Sequence, residues 1–112
     1  MLNICRLSID SMQNIVYTLY MIKSFKNKGL EKLFLDDDPS GINTEHIEKV
    51  QNILLTIDSA TNVKDLNLPA FKLHQLKGNR KDIWSITVRA NWRITFRFEK
   101  ENAYVLDYED YH

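Results

Sequence analysis

In the segment "IWSITVRANWRITFRFE", residues 83–99, apolar and polar residues alternate along two successive runs. A period of two is typical of a β-strand that is buried on one face and solvated on the other. The break at Ala90 and Asn91 separates the runs, and we expect them to pair as an antiparallel hairpin. The alternation predicts an apolar face of Trp84, Ile86, Val88, Trp92, Ile94, Phe96 and Phe98 and a polar face of Ser85, Thr87, Arg89, Arg93, Thr95 and Arg97.

The flanking segments extend this hairpin into a larger sheet. Downstream, "NAYVLDYED", residues 102–110, follows a Glu-Asn turn and predicts a further strand. Upstream, "FKLHQL", residues 71–76, alternates in the same way and is separated from the hairpin by a turn in "KGNRKD", residues 77–82. Near the start of the chain "IKSF", residues 22–25, also alternates and predicts a half-buried strand.

Between these strands the apolar residues have a helical period. Leu30, Leu33 and Phe34 lie at i, i+3 and i+4, and a second stripe follows a possible helix cap at Asn43 or Thr44. Helices that come before a run of strands predict the α+β class, with two N-terminal helices packed on one face of a twisted, mainly antiparallel sheet. The second stripe consists of Ile47, Val50, Leu54 and Ile57.

A length of 112 residues corresponds to one domain. Residues 1–20 have little periodicity, and Met21 opens "MIKSF" like a new start, so we expect residues 1–20 to be an N-terminal extension with a non-native start. The domain itself is then expected to span residues 21–112. The alternative is that the first twenty residues form an additional strand or helix that packs on the domain.

Cysteine content and hydropathy bear on the compartment. Cys5 is the single cysteine, so no intramolecular disulfide can form, as is usual in a reducing compartment, and we expect a cytoplasmic protein. The sequence has no apolar run approaching the ~18 residues that a membrane helix needs, so no membrane partner is predicted.

Charge is distributed unevenly although the formal net charge is zero. Residues 72–97 contain seven basic residues and one acid. A polar sheet face that carries several arginines suits a nucleic-acid phosphodiester, since guanidinium groups bind phosphate through paired hydrogen bonds. The alternative is a solvated face whose arginines are balanced by acids on neighbouring strands, namely Glu99, Glu101 and Asp107.

The sequence has three histidines, and two of them, His74 and His112, are candidates for proton transfer. His74 lies just before the basic stretch, and His112 ends the chain after Asp110 and Tyr111; each alone fits a surface histidine equally well. His46 is predicted to lie on the surface, at the polar flank of the second helix. A metal site of His74, Asp110 and His112 has no ligand-spacing signature to support it.

Residues 72–98, "KLHQLKGNRKDIWSITVRANWRITFRF", and residues 103–112, "AYVLDYEDYH", resemble the HigB toxins of the RelE/ParE superfamily. The start of the domain, "MIKSF" followed by "GLEKLF", is similar to the start of that family. The resemblance implies a RelE-like, microbial-RNase-like fold. It also implies a toxin of a type II toxin–antitoxin pair that cleaves mRNA in the ribosomal A site.

The same resemblance implies the partners and the chemistry. The partners are a HigA-type helix-turn-helix antitoxin, the small ribosomal subunit and mRNA, with operator DNA bound only through the antitoxin complex. The reaction is a transesterification by the RNA 2′-OH that needs no metal or other cofactor. The catalytic residues implied are His74, Lys77, Arg93, Asp110, Tyr111 and His112, and Arg80, Arg89 and Arg97 are expected to bind RNA.

Two other readings remain open from the sequence. A ParE-like toxin would bind a topoisomerase and cut nothing, although such a protein would not need the histidines, Lys77 and the C-terminal tripeptide. A plain nucleic-acid-binding module would use the same arginines without catalysis.

Overall fold

The computed structural model describes residues 20–110 and confirms the α+β class. Four strands form one antiparallel sheet in the order β1-β2-β3-β4. Helices α1 and α2 come before the strands, and short 3-10 turns lie between the elements. The bounds are α1 Lys28–Asp36, α2 Ile47–Ser59, β1 His74–Gln75, β2 Ile83–Arg89, β3 Trp92–Glu99 and β4 Asn102–Asp110.

The central hairpin has the register that the alternation predicts. Ser85 lies opposite Thr95, and Ile86 lies opposite Ile94. Ile86, Ile94 and Phe96 are fully buried beneath the helices, as expected for the apolar face. The two tryptophans are half-buried and pack against the margin of this core.

The predicted stripes are buried except for Ile47, which is half-buried at the start of α2. Leu30, Leu33 and Phe34 of α1 are buried, and the Asn27 side chain caps this helix by accepting a hydrogen bond from the Leu30 N–H at 3.0 Å. The buried residues of α2 are Val50, Ile53, Leu54, Ile57 and Asp58. No helix within residues 20–110 has the length and apolar character needed to cross a membrane.

The segment at residues 22–25 differs from the strand that its alternation predicts. Ile22 and Phe25 make isolated parallel bridges to Ala103 and Leu106 of β4, so the segment runs alongside β4 without becoming a regular strand. The physical reason is a bulge in β4. The register shifts between Thr95 and Arg97 of β3, where three residue steps of β4 lie opposite two of β3.

The Asp58 carboxylate fixes the start of this segment. One of its oxygens accepts hydrogen bonds from the Met21 N–H at 2.8 Å and from the Ile22 N–H at 3.2 Å. A buried carboxylate needs such donors, since an unpaired charge inside a protein is costly. The C-terminal turn of α2 is therefore linked directly to the chain that enters the domain.

The strand predicted over residues 71–76 is shorter than expected. Only His74–Gln75 forms β1, and Phe71 and Leu76 are both buried, which an uninterrupted alternation would not allow. Lys72 has a φ of 48°, in the left-handed region, and this conformation breaks the strand before it reaches His74.

The prediction that His46 lies on the surface is wrong, since this side chain is only 4% exposed. A 3-10 turn, Thr44–His46, precedes α2 and turns the imidazole inward against Trp92. Its Nδ1 lies 2.6 Å from the hydroxyl of Tyr108, whose ring stacks on Trp92. Burial raises the pKa of the Tyr108 hydroxyl, so the phenol keeps its proton and its hydrogen bond to His46 at the margin of the core.

Replacing Phe96 with alanine should lower the free energy of unfolding by about 3–5 kcal/mol, because the ring is fully buried and its removal leaves a cavity. Urea unfolding followed by tryptophan fluorescence measures this change. Leu55→Ala is the control, since Leu55 is 43% exposed and its loss should cost less than about 0.5 kcal/mol. Equal losses in the two variants would contradict the assignment of Phe96 to the core.

Candidate active site

The polar face of the sheet is organised in rows that cross the strands. His74, Ser85, Thr95 and Asp107 are successive register partners from β1 to β4. Residues paired in register lie on the same face of a sheet, so these four side chains form one row. With about 4.8 Å between strands, the row extends roughly 14 Å across the sheet.

A second row follows the same rule. Thr87 of β2 pairs with Arg93 of β3, and Arg93 pairs with Glu109 of β4. The Arg93 Nη1 donates to the Thr87 hydroxyl at 3.0 Å and to the Ala90 carbonyl oxygen at 3.1 Å. These bonds hold the guanidinium against the sheet, close to the end of the β2–β3 hairpin.

His74 and Lys77 lie at the β1 side of this face and are exposed. The His74 Nδ1 donates to the Lys72 carbonyl oxygen at 3.2 Å, which leaves Nε2 directed away from the backbone for proton transfer. Lys77 is the residue before the 3-10 turn Gly78–Arg80. The turn brings Lys77 and Arg80 to the same end of the sheet as His74.

Arg80 reaches across the polar face to β4. Its two terminal nitrogens donate to the two carboxylate oxygens of Glu109, at 3.2 and 2.7 Å. The Thr95 hydroxyl donates to the same carboxylate. Arg80, Thr95 and Glu109 are therefore one hydrogen-bonded group in the middle of the face that the sequence predicts to bind RNA.

The two other arginines predicted to bind RNA lie in different surroundings. The register shifts between Thr87 and Arg89, so Arg89 pairs with Trp92 and its guanidinium contacts Glu45, before α2, at 3.4 Å. The prediction that Arg89 lies on the polar face with Arg93 is therefore wrong, because the register shift pairs it with Trp92 of the apolar face. Arg97 remains on the polar face and lies 5.1 Å from the centre of the Tyr104 ring.

Of the three C-terminal candidate residues, the structure describes only Asp110. Asp110 ends β4 and is exposed, and because it pairs with Trp92 its register position belongs to the Trp92 face, next to the Arg93–Glu109 pair of the polar face. Tyr111 and His112 lie outside the described residues, so their approach to Arg93 and His74 stays a prediction. Within residues 20–110 no group of three or more His, Cys, Asp or Glu side chains is arranged to hold a metal ion.

Glu109 is the central carboxylate of this face, and sequence reasoning did not select it. The hydrogen bond from Arg80 lowers the pKa of Glu109, with a further lowering from the Thr95 hydroxyl, against the opposing effect of burial. A signal was present in the sequence. The alternation that was applied to β2 and β3 also places Asp107 and Glu109 of "LDYED" on the polar face, opposite Thr95 and Arg93.

An open cavity of about 270 Å³ lies beside this carboxylate. Its charged lining consists of Lys26, Arg80, Asp107 and Glu109, and Lys26 Nζ lies 3.9 Å from an Asp107 carboxylate oxygen. The remaining lining comes from Ile83, Thr95 and Val105. The polar face therefore has an exposed imidazole at one side and a partly apolar depression at the other.

The pKa shift of Glu109 predicts a pH-dependent contribution to stability. A carboxyl group whose pKa falls on folding stabilises the protein above the ordinary pKa of about 4.3 and loses this contribution as the pH falls through the lower folded value. Glu109→Gln should therefore lower the free energy of unfolding by about 1 kcal/mol at pH 7, and the difference should shrink by pH 3. Urea unfolding at both pH values measures it.

The control for this change is Glu99→Gln, at an exposed position at the end of β3. A difference between wild type and Glu109→Gln that is equally large at pH 3 and pH 7 would show that the Arg80–Glu109 pair is not its source.

Comparison with known proteins gives the family. A family model of the RelE-like toxin of type II toxin–antitoxin system HigB matches residues 23–112. The endoribonuclease HigB of Proteus vulgaris is 53% identical over 92 residues, which cover 82% of this chain and the whole of that protein. Because the family model spans most of the chain, and a relative of this identity is matched over its full length, the protein belongs to the HigB-like toxins of type II toxin–antitoxin systems.

Proposed function

We propose that this protein is an endoribonuclease toxin that cuts mRNA and is held inactive by a protein antitoxin. The observation that carries the proposal is the sheet face on which His74 and Arg93 lie, in a chain that is 53% identical to a protein named as an endoribonuclease. An imidazole and a fixed guanidinium on one face are the groups that phosphodiester cleavage needs. The substrate class is therefore single-stranded mRNA.

The reaction is a transesterification in which the ribose 2′-oxygen attacks the adjacent phosphorus and the 5′-oxygen leaves. A base takes the 2′-OH proton, an acid gives a proton to the leaving oxygen, and cations stabilise the charge on the phosphoryl oxygens. The products are a 2′,3′-cyclic phosphate and a free 5′-hydroxyl, so no metal or cofactor takes part in the proposed steps.

We assign these roles as follows. His112 or Asp110 takes the 2′-OH proton, and His74 protonates the leaving oxygen through its outward Nε2. Arg93 and Lys77 stabilise the phosphorane-like state, for which the bonds from Arg93 to Thr87 and Ala90 provide a fixed orientation. Tyr111 orients or stacks on a base, and Arg97 contacts the RNA backbone. Arg80, whose terminal nitrogens donate to Glu109, contacts the RNA at the rim of the cavity beside that carboxylate. Arg89, whose guanidinium is paired with Glu45, is proposed to contact RNA outside the polar face.

The ribosome is proposed to supply the substrate geometry. His74, Lys77 and Arg80 are exposed on an open sheet face, and such a surface has few means to hold a flexible RNA strand in line for attack. The A site of the small subunit presents mRNA in a defined conformation. The antitoxin is proposed to be HigA-type, with a helix-turn-helix domain through which the complex binds operator DNA, and the site of action is the cytoplasm.

We further propose that the toxin domain spans residues 21–112, that residues 1–20 are an extension, and that the helices and sheet have a RelE-like, microbial-RNase-like arrangement. The family match that begins at residue 23 supports this boundary. Tyr20, at the junction, is buried against the Phe34 ring, so the folded unit includes the last residue of the extension.

His74→Ala should reduce single-turnover cleavage of mRNA on programmed ribosomes by about 100-fold or more, because it removes one of the two proton-transfer groups. Lys77→Ala should reduce cleavage less, as it removes one of two cations. Lys64→Ala is the matched control, at an exposed lysine in the 3-10 turn Val63–Leu66, and should cut at the wild-type rate. Primer extension with thermal unfolding as a folding check measures all three.

A wild-type protein that arrests growth without cutting mRNA would contradict the nuclease proposal. Cleavage of free mRNA at the same rate with and without ribosomes would contradict the ribosome requirement alone. His112→Ala should also lower cleavage, since it removes the proposed base, and undiminished growth arrest by this variant would exclude a catalytic role for His112.

A further inference from the structure

The β4 bulge places Val105 in an unfavourable backbone conformation. Val105 has a φ of 50°, in the left-handed region, and its Cβ branch makes this conformation costly. Its N–H donates to the Ser24 hydroxyl at 2.8 Å, which holds the distorted backbone in place. Strained residues of this kind persist where the surrounding structure enforces them, and they concentrate at binding and catalytic sites.

The bulge has a specific effect on the polar face. It lets Leu106 point fully into the core while Val105, its neighbour, is 42% exposed and lines the cavity beside Glu109. Ile83 of β2 lines the same cavity and is half-buried. A depression on a charged surface thereby acquires two branched apolar side chains, and the buried Thr95 side chain adds to its lining.

The charged rim of the cavity is balanced. Arg80 donates to both oxygens of Glu109, and Lys26 lies 3.9 Å from Asp107, so two cations are offset by two carboxylates. A phosphate gains little from such a rim, because each cation already faces an anion. A flat, neutral ligand with its own donors and acceptors gains more, since it can contact the apolar side chains and hydrogen-bond to the rim.

We propose that this cavity binds a nucleobase of the mRNA next to the cleaved bond, and that it selects bases with an exocyclic amino group. This subsite rests on the proposed nuclease function. Its volume of about 270 Å³ is at the small end for ligand pockets and suits one base. Thr95 and Asp107 belong to the same row as His74, so a strand whose phosphate lies near His74 and Arg93 can place a neighbouring base here.

The rim also gives the direction of selectivity. A carboxylate has about four lone-pair positions, and Glu109 already accepts from Arg80 and Thr95 while Asp107 accepts from the Tyr108 N–H. Both keep acceptor capacity, and carboxylates accept hydrogen bonds from the amino groups of bases. Cytosine, adenine and guanine carry such an amino group. Uracil can donate only its N3–H, which lies between two carbonyl oxygens that repel a carboxylate. Uracil is therefore the base that this subsite binds most weakly.

Methyl NMR of the full chain tests binding directly, without catalysis. The probes are the four ribonucleoside 5′-monophosphates and ribose 5-phosphate, which has no base. The amino-bearing nucleotides should shift the methyl signals of Ile83 and Val105 at least threefold more than uridine monophosphate or ribose 5-phosphate does, and the exposed Leu55 methyls should not move. Equal shifts with ribose 5-phosphate, or with uridine monophosphate, would overturn the proposal, as would the absence of any shift.

Val105→Gly separates a binding role from a structural one. Glycine adopts a positive φ freely, so the variant should unfold at the same or a higher urea concentration than wild type. It also lacks the side chain that lines the cavity. It should therefore lose the NMR response to the nucleotides and cut mRNA with at least a threefold weaker preference against uracil beside the cleavage site. The control, Leu55→Ala, should keep both properties.

The failure of this proposal is distinguishable from failure of the nuclease function. A Val105→Gly variant that cuts mRNA with the wild-type base preference would overturn the subsite while leaving the enzyme assignment intact. A wild-type protein that cuts no mRNA would remove the function, and the proposal with it, even if nucleotides bind the cavity.

Discussion

The pairing of β2 with β3 is the constraint on which the structure depends. Because side chains alternate with a period of two, one register places Ile86 and Ile94 under the helices and at the same time places Ser85 and Thr95 on the opposite face. A slip of one residue would turn the core residues to the opposite face and the polar row toward the helices. Core burial and the arrangement of the candidate active site are thus two results of the same hydrogen-bonded ladder.

The polar face is less uniformly positive than the composition of residues 72–97 indicates. Seven basic residues and one acid between residues 72 and 97 describe a cationic segment, but β4 brings Asp107 and Glu109 onto the same face. Glu109 holds Arg80, so the face consists of individually oriented charges and has a weaker overall positive field. RNA recognition on such a face depends on where each group points.

The sequence pattern predicted the structure correctly where its period was uninterrupted. This holds for the β2–β3 hairpin and for the helical stripes at Leu30 and Val50. It failed where the backbone departs from its period, at Lys72, at the register shift before Arg89, and at Val105. A positive φ at a lysine or valine has no sequence signal comparable to glycine, so the short β1 and the β4 bulge were not predictable.

The inward turn of His46 depends on tertiary contacts with Trp92 and Tyr108, which lie far along the chain. Glu109 could have been found, because it needs only the alternation of the last strand.

The segment that runs beside β4 determines which margins of the sheet remain open to a partner. Backbone groups of Met21, Lys23 and Lys26 already bond to Ala103 and Leu106, so that side of β4 offers few free amides or carbonyls for strand addition. At the opposite margin β1 is two residues long, which is too short to template another strand. Between residues 103 and 106 the outer margin of β4 is therefore closed to strand addition, and a partner that binds this part of the molecule must recognise side chains.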